Sequence, residues 1–306
     1  MQHWKRLGLL FCPENNYDWM LTHAANPVAE QISDDIFRVY FSCRDAQNRA
    51  HIGTLDVDFA QDFQISNISE RPVLSPGELG LFDDSGVSMG CILRTPTQKL
   101  LYYMGWNLCT TVPWRNSIGL AVWDEATQVF RKHGLAPIAD RCEADPFSIS
   151  YPFLLADDGH FKVYYGSNMR GNSADERMDH RIKYAESKDG FSWQREGKVA
   201  IEIQNEHEYA FSKPCVLKEN GVYKMWYSFR GQPGLDAYRI GYAESPDGKN
   251  WIRKDEQVQF FGESGGWDSD AQSYPFVMDW RGQRFMFYNG NRYGKTGFGL
   301  AVIAND

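Results

Sequence analysis

A short phrase recurs along this chain. The segments RIKYAESKDGFSWQREG (181–197) and RIGYAESPDGKNWIRKD (239–255) are near copies of each other. Three other segments align with them: HIGTLDVDF (51–59), SIGLAVWDEATQVF (117–130) and GFGLAVIAND (297–306). The corresponding positions are Gly53, Gly119, Lys183, Gly241 and Gly299, which are 66, 64, 58 and 58 residues apart. Self-similarity at a period of this length is typical of architectures in which each unit packs against the next.

Each repeat has the pattern of four short strands. In the third repeat, the runs SYPFLLADDG and FKVYYGS precede the phrase, and FSWQREGKVAI follows it. These runs are rich in β-branched and aromatic residues and are bounded by turn residues, as strands are. The fifth repeat ends before its fourth strand, whereas HWKRLGLLF (3–11) has the matching pattern. The sequence therefore predicts an all-β, five-bladed β-propeller with four antiparallel strands per blade, in which the N-terminal strand closes the last blade.

The repeats also predict the extent of each blade and its turns. The blades span roughly 20–75, 82–140, 145–204, 207–260 and 267–306 plus 3–11, within one domain covering 1–306. The aspartates of the DG pairs, Asp189 and Asp247, are interpreted as turn residues and not as catalytic groups. The segments DDG, ENG and WRG are predicted to be hairpin turns on the face opposite the candidate site.

Composition excludes several classes of function. Lys and Arg total 32 and Asp and Glu total 40, so the net charge of −8 disfavours binding to nucleic acid. No run approaches the ~20 apolar residues that span a bilayer, and the N-terminus lacks the pattern of a secretory signal. The six cysteines show no CxxC spacing, which favours reduced thiols in a cytoplasmic protein. The oligomeric state is left open.

Polar residues cluster where a blade's first strand begins and its second strand ends, which is one face of a propeller, around the central funnel. The residues at these positions are His23, Asn26, Arg44, Asp45, Asp83, Asp84, Trp106, Asn168, Arg170, Glu208, Lys213, Arg230, Asp268, Asp270, Tyr274, Asn289 and Asn291. Carboxylates, arginines and aromatic rings around one pit suit a small sugar or oligosaccharide, including an anionic one. Taken singly, an acid such as Asp83 is as well explained as a turn cap, and Lys213 as a solvated side chain. No cofactor is expected; the acids could surround calcium, but no motif indicates it.

The repeated Y-A-x-S-x-D-G-x-x-W pattern resembles the furanosidase-like superfamily of five-bladed propellers, which includes glycoside hydrolase families 43, 32 and 130. The segments WMLTHAANP, YFSCRD, LFDDSG, YYMGW, GWDSDAQSYP and YNGNRYG resemble cytoplasmic propellers encoded among bacterial surface-polysaccharide genes. The resemblance places the acids of families 43 and 32 at Asn26, Tyr151 and Lys213, none of which is a carboxylate. Asn26–Pro27 is similar to the Asn-Pro of family 130 phosphorylases, whose phosphate is held by basic residues.

Three functions follow as hypotheses; the third, a purely structural scaffold, explains the repeats but not the polar residues of the funnel face. The first is a carbohydrate-active enzyme that cleaves or transfers a glycosyl unit of a polysaccharide precursor or oligosaccharide, with Glu208 as general acid and Asp268 or Asp84 as base or nucleophile. In it, Arg44, Arg170 and Arg230 hold an anionic group, Trp106 and Tyr274 stack on sugar rings, and the other funnel residues, with Tyr151, bind substrate. The second hypothesis is a non-catalytic propeller that binds glycans or sugar nucleotides. A facing pair of carboxylates favours the enzyme, and their absence favours binding alone.

Overall fold

The computed structural model describes residues 1–171, 178–232 and 236–304, and these residues form an all-β protein. The strands of the first half are β1 (Gln2–Phe11), β2 (Thr22–Gln31), β3 (Ile36–Arg44), β4 (Ala50–Asp58), β5 (Gln64–Ser66), β6 (Gly86–Arg94), β7 (Lys99–Leu108), β8 (Trp114–Asp124), β9 (Val129–Lys132) and β10 (Ile149–Asp157). Those of the second half are β11 (His160–Asn168), β12 (His180–Ser187), β13 (Gln194–Val199), β14 (Tyr209–Glu219), β15 (Val222–Arg230), β16 (Arg239–Ser245), β17 (Ile252–Arg253), β18 (Val258–Gln259), β19 (Ser273–Trp280), β20 (Gln283–Asn289) and β21 (Phe298–Ile303). A 3-10 turn (Asp255–Gln257) and one irregular helical turn, α1 (Asn291–Gly294), complete the described elements.

Consecutive strands pair in antiparallel groups that follow the sequence repeat. The groups are β2-β3-β4-β5, β6-β7-β8-β9, β10-β11-β12-β13, β14-β15-β16-β17 and β19-β20-β21-β1. The first two groups are joined into one sheet by a parallel pairing of Ala50 with Gly86. The N-terminal strand β1 pairs antiparallel with β21, from Trp4 opposite Ile303 to Phe11 opposite Phe298. The two ends of the chain therefore lie side by side in one sheet.

The first strands of the five groups touch one another in a closed circuit. Strand β2 contacts β6, β6 contacts β10, β10 contacts β14, β14 contacts β19, and β19 contacts β2. Four of these strands carry a positive-φ residue directly before proline, at Asn26, Tyr151, Lys213 and Tyr274. The remaining inner strand, β6, carries Gly90, where an added Cβ would lie only 2.4 Å from the carbonyl oxygen of Tyr102. Each of these positions falls at a shift in strand register, so the inner strands are bulged at the same level.

The apolar core lies in layers between neighbouring groups. Phe59 of the first group packs edge-on against Phe285 of the last, with ring centroids 5.1 Å apart. Trp251 of the fourth group packs against Tyr164 of the third at 5.7 Å. Because each face is buried only by the next group, the groups stabilise one another cooperatively.

The turns match their expected chemistry. In DDG, ENG and WRG both residues of the loop have positive φ, as a two-residue hairpin with a type I′ turn requires. The carboxylate of Asp189 accepts hydrogen bonds from the amides of Phe191 and Ser192, both at 2.8 Å, and is a turn residue. Asp247 makes the same bonds with Lys249 and Asn250.

Two further expectations concern the cysteines and the membrane. All six cysteines are unpaired, and Cys43, Cys91 and Cys215 are buried. Among the helices of the described residues, none has the length and apolar character needed to cross a membrane.

Candidate functional site

A cavity of about 680 Å³ opens where the inner strands β2, β6, β10 and β19 meet. The predicted site residues that line it are His23, Asn26, Arg44, Asp84, Trp106, Tyr151, Asn168 and Tyr274. A volume of this size is typical of small-molecule sites. The structure therefore brings part of the predicted set together, around the inner circuit of strands.

Three buried polar atoms that belong to cavity-lining residues have no hydrogen-bond partner within the described chain. They are Oδ1 of Asn26, Oγ of Ser150 and Nε2 of His180. These residues are 3%, 2% and 6% exposed. Because buried polar groups are nearly always hydrogen-bonded, water or a polar ligand in the cavity is expected to pair with these three atoms.

The backbone at Asn26 is held in its left-handed conformation by Asn289. The Asn289 amide oxygen accepts a hydrogen bond from the Asn26 amide at 2.8 Å, and its Nδ2 donates to the carbonyl of Ala24 at 2.6 Å. Asn289 is fully buried and does not line the cavity. Asn289 therefore positions Asn26, and it lies outside the cavity in which a substrate would bind.

Tyrosines form one side of the cavity, and Arg230 lies behind them. The rings of Tyr151 and Tyr274 are 5.5 Å apart, and Tyr238 lies 5.6 Å from Tyr274. The Arg230 guanidinium stacks on Tyr238 at 4.4 Å and donates to the hydroxyl of Tyr293 at 2.9 Å. The structure thus uses Arg230 to orient two cavity tyrosines, instead of exposing it to an anionic ligand.

Two histidines of the cavity are neutral at physiological pH. Burial lowers the pKa of His23 to about 4, with the nearby positive charge of Arg44 acting in the same direction. Burial also lowers the pKa of His180 to about 4. Nδ1 of His23 lies 2.9 Å from the hydroxyl of Thr22. Both imidazoles are therefore hydrogen-bonding groups and possible proton acceptors, but not cations.

The charged groups at the cavity are two arginines and one carboxylate. Arg44 donates to the amide oxygen of Asn48 at 2.7 Å, and Arg49 also lines the cavity. Asp84 accepts hydrogen bonds from the amide of Gly80 at 2.9 Å and from the Ser85 hydroxyl at 2.8 Å. Among the lining residues of the described chain, Asp84 alone has a carboxylate.

Two other predicted acids, Asp83 and Asp268, and the equivalent Asp145 of the third strand group are each bound to a tyrosine and a cation of their own strand group. The tyrosine pairs are Asp83 with Tyr103, Asp145 with Tyr165 and Asp268 with Tyr288, at 2.9, 3.0 and 2.9 Å. The cations are Lys132 at 2.6 Å, Lys183 at 3.1 Å and Arg6 at 3.0 Å. All three acids are fully buried and outside the cavity lining. The polar residues repeated at these positions are therefore part of the scaffold, and Asp268 does not face the cavity.

Glu208, the predicted general acid, forms a buried ion pair with Arg253. Its two carboxylate oxygens accept from Nη1 and Nη2 of Arg253 at 2.6 and 2.9 Å, and both side chains are 5% exposed. Burial raises the pKa of Glu208, but the hydrogen bonds from Arg253 and from the amide of Gln204 outweigh it and lower the pKa. An ionised, fully paired carboxylate outside the cavity does not suit a proton donor.

Lys213 is not solvated, contrary to one interpretation of its sequence context. It is 2% exposed, and its ammonium donates to the carbonyl of Gly90 at 2.7 Å. Burial lowers its pKa to about 8. Lys213 therefore links the inner strands β14 and β6 and does not line the cavity.

The remaining predicted residues have local roles or lie nearby. Asp45 accepts from Nε of Arg49 at 2.9 Å and lies 3.1 Å from Nε2 of His51, which fixes the loop after β3. Asn291 accepts from the amides of Asp270 and Ala271, and the Asp270 side chain is exposed. Arg170 lines a second, smaller cavity.

Sequence reasoning missed cavity residues at the start of the third strands. Three positions before the aligned glycine or lysine of the phrase, the first four repeats have Ala50, Asn116, His180 and Tyr238, in that order. All four residues line the cavity. The repeat alignment contained this signal, because the end of a second strand and the start of the third lie on the same face.

Comparison with known proteins finds two relatives that match almost the whole chain and one that matches a third of it. No family model matches it. Two proteins of Mycobacterium tuberculosis, "Uncharacterized protein MT1551" (strain CDC 1551 / Oshkosh) and "Uncharacterized protein Rv1502" (strain ATCC 25618 / H37Rv), are each 46% identical to it over 304 residues, 99% of both chains. A 1,2-beta-oligomannan phosphorylase of Thermoanaerobacter sp. (strain X514) is 33% identical over 102 residues, which cover 33% of this chain and 34% of the phosphorylase.

Solved structures share the fold at low sequence identity. A glycoside hydrolase matches 97% of this chain and 90% of its own, with a TM-score of 0.74 and 17% identity. A thermostable family-43 glycoside hydrolase matches 92% and 88%, with a TM-score of 0.67 and 18% identity. A structure from the GH130 family of mannoside phosphorylases, which contains glycoside hydrolases that target β-1,2 mannosidic linkages in Candida mannan, matches 98% and 93%, with a TM-score of 0.69 and 16% identity. The chain has the fold of propeller glycoside hydrolases of the family 43 and family 130 type.

Proposed function

The chain belongs to the same family as the two Mycobacterium tuberculosis proteins, and from its cavity we propose that it is a carbohydrate-active enzyme that cleaves a glycosidic bond with phosphate. The substrate is an oligosaccharide or a polysaccharide precursor, whose sugar ring occupies the cavity. Asp84 is the general acid, and Arg44 with Arg49 holds the phosphate. Trp106 stacks on the sugar.

One observation carries this proposal: among the described lining residues, one carboxylate shares the cavity with two arginines. Hydrolysis by two carboxylates needs a pair about 5–5.5 Å or about 6.5–9.5 Å apart. Phosphorolysis needs only one, because phosphate itself is the nucleophile. Arginines at the cavity supply the charge-assisted hydrogen bonds that hold and orient a phosphate dianion.

The proposed reaction balances without another reactant. A phosphate oxygen forms a bond to the anomeric carbon as the bond from that carbon to the glycosidic oxygen breaks. Protonated Asp84 gives its proton to the leaving oxygen, which departs as a free sugar hydroxyl. The proton of hydrogen phosphate then returns to Asp84, and the products are a glycosyl phosphate and a shortened glycan.

The partial relative supports phosphate as the co-substrate. That relative is a 1,2-beta-oligomannan phosphorylase, and it matches a third of this chain at 33% identity. The structure from the mannoside phosphorylase family covers nearly the whole chain. The neutral imidazoles of His23 and His180 and the unpartnered amide oxygen of Asn26 supply hydrogen bonds for sugar hydroxyls.

The test is phosphorus NMR of the protein incubated with orthophosphate and a panel of oligosaccharides. We expect a new phosphomonoester resonance, whose rate of formation falls by ~10²–10⁴ in Asp84→Asn. The matched control is Asp270→Asn, which changes an exposed carboxylate outside the cavity and should keep the wild-type rate. Free-sugar release at an equal rate without phosphate would show hydrolysis instead and contradict the proposal.

A second candidate function is binding without catalysis. It is favoured by the lack of a facing carboxylate pair among the described cavity residues. In that case calorimetry would find saturable binding of an oligosaccharide with no product, and Asp84→Asn would change the affinity little. Any turnover in the NMR assay removes this candidate.

We also propose that the five strand groups are the blades of one propeller domain. The bounds near 20–75, 82–140, 145–204, 207–260 and 267–306 plus 3–11 fit the observed groups, and the circuit of inner-strand contacts supports closure. The pairing of β1 with β21 supports closure through the N-terminal strand. A crystal structure with another number of groups around the axis would contradict it.

A further inference from the structure

A second cavity of about 270 Å³ adjoins the main one. The two cavities share Trp114 and Asn168 in their linings. Three arginines line the smaller cavity, Arg115, Arg141 and Arg170, and among its described lining residues there is no carboxylate. The smaller cavity is called the arginine pocket below. Because the two cavities share lining residues, a ligand that fills the main cavity could extend into the arginine pocket.

Strand β8 presents residues to both cavities. Trp114 and Asn116 line the main cavity, whereas Arg115 between them lines the arginine pocket alone. This division follows from the alternation of side chains along a strand. The amide of Asn116 donates to the hydroxyl of Ser148 at 3.2 Å, which ties the start of β8 to the residues just before β10. The two cavities therefore have one rigid wall in common.

Among the residues that the structure describes, no carboxylate pairs with Arg115 or Arg141. Within 1–171, 178–232 and 236–304, neither residue forms an ion pair, although acids outnumber bases by 40 to 32. The nearby carboxylate of Asp140 accepts from the Ser117 hydroxyl and from the backbone amide of Arg141. Two exposed guanidiniums that line one concave site, in an acidic protein, suit an anionic ligand.

We propose that the arginine pocket binds the diphosphate ester of a substrate whose sugar lies in the main cavity. This proposal rests on the proposed function only for the placement of the sugar in the main cavity; the binding of the diphosphate does not depend on phosphorolysis. Arg115 and Arg141 contribute two positive charges, which match a diphosphate diester carrying about −2, whereas a uronate carries only −1. Trp114, common to both cavities, packs beside the link between the sugar and its first phosphate. The substrate class is thus a sugar diphosphate ester.

The experiment is calorimetric titration with inorganic pyrophosphate at low and high salt. We expect wild-type protein to bind pyrophosphate, and Arg115→Gln/Arg141→Gln to bind it at least roughly tenfold more weakly, with a shallower salt dependence. The matched control is Arg71→Gln, which alters an exposed arginine outside both cavities whose guanidinium donates to the Thr127 carbonyl. The single variant Arg141→Gln, at an exposed position, is expected to lose an intermediate amount of pyrophosphate affinity. It keeps the test informative if the double variant misfolds.

Further titrations identify which kind of diphosphate ester binds, and they test this proposal independently of phosphorolysis. UDP and farnesyl diphosphate stand for nucleotide and isoprenoid esters, and tighter binding of either than of pyrophosphate supports the proposal. Leu79 and Leu108, which line the main cavity and are 98% and 70% exposed, offer apolar surface to the isoprenoid. Pyrophosphate titration requires no turnover, so weaker binding by Arg115→Gln/Arg141→Gln is expected whether or not phosphorolysis occurs. Equal binding by wild type and double variant, or tighter binding of D-glucuronate than of pyrophosphate, would overturn the assignment.

Discussion

Replacing Glu208 by Gln separates a structural carboxylate from a catalytic one. The substitution keeps the size of the side chain and removes its charge, so that Arg253 loses a bidentate partner at 2.6 and 2.9 Å. Removing one member of a buried ion pair costs about 3–5 kcal/mol, because the other charge remains buried. Arg253 also contacts Asp255, which stays in place, so we expect the lower end, about 3 kcal/mol.

The same substitution has a predicted pH signature. The folded protein lowers the pKa of Glu208, so the stabilisation from this group is present above its unfolded value near 4.5 and is lost as the pH falls through the folded pKa. The difference in unfolding free energy between wild type and Glu208→Gln should therefore be largest at neutral pH and shrink in acid.

Urea unfolding followed by tryptophan fluorescence measures this difference, and the phosphorus NMR assay measures activity. Glu208→Gln should be destabilised but retain turnover at temperatures where it is folded. Asp84→Asn, at a half-buried position, should unfold like wild type and lose turnover. A Glu208→Gln variant of wild-type stability without turnover would refute this reasoning and restore Glu208 as the general acid.

Two other predictions concern the cavity. Trp106→Ala should weaken sugar binding about 2–10-fold in calorimetry, since stacking contributes about 0.5–1.5 kcal/mol beyond burial; unchanged affinity would remove Trp106 from the site. The pKa of His180 is about 4 in the folded protein and near 6.5 in the unfolded chain. Between these two pH values only the unfolded chain takes up a proton at His180, so the free energy of unfolding should fall as the pH drops through that range. His180→Gln should flatten this fall by roughly 3 kcal/mol; identical pH profiles for His180→Gln and wild type would contradict the burial argument.

The all-β fold was predictable because its signals are local and repeated. The DG and NG turns, the aromatic runs and the recurring phrase each determine a strand or hairpin within a few residues. The Trp-x-Arg pattern near Trp4 similarly predicted the pairing of β1 with β21, across almost the whole length of the chain.

The division of acids between scaffold and cavity was not predictable, because it depends on partners distant in sequence. Asp268 is bound by Arg6, 262 residues away, and Glu208 by Arg253, 45 residues away. An acid next to an inner strand looks the same in sequence whether or not such a partner reaches it. Adjacent Asp83 and Asp84 illustrate this, since one is fully buried beneath Tyr103 and the other lines the cavity.

Lys213 shows the same limitation for a cation. A lysine before proline at a strand start is expected to be solvated, yet the bulged inner strand directs it to the carbonyl of Gly90. His180 and Tyr238 were missed for a different reason. Their shared position before the repeated phrase was visible in the sequence, but only the starts of first strands and the ends of second strands were considered.

The most direct test of the central claim is a crystal structure of the protein with orthophosphate and the oligosaccharide that gives the strongest turnover. We predict the glycosidic oxygen within about 2.6–3.2 Å of the Asp84 carboxylate, directly or through one water, and the phosphate beside Arg44 on the other side of the anomeric carbon. A sugar bound outside the cavity of Asn26 and Tyr151, or a glycosidic oxygen reached by a carboxylate other than Asp84, would contradict the account.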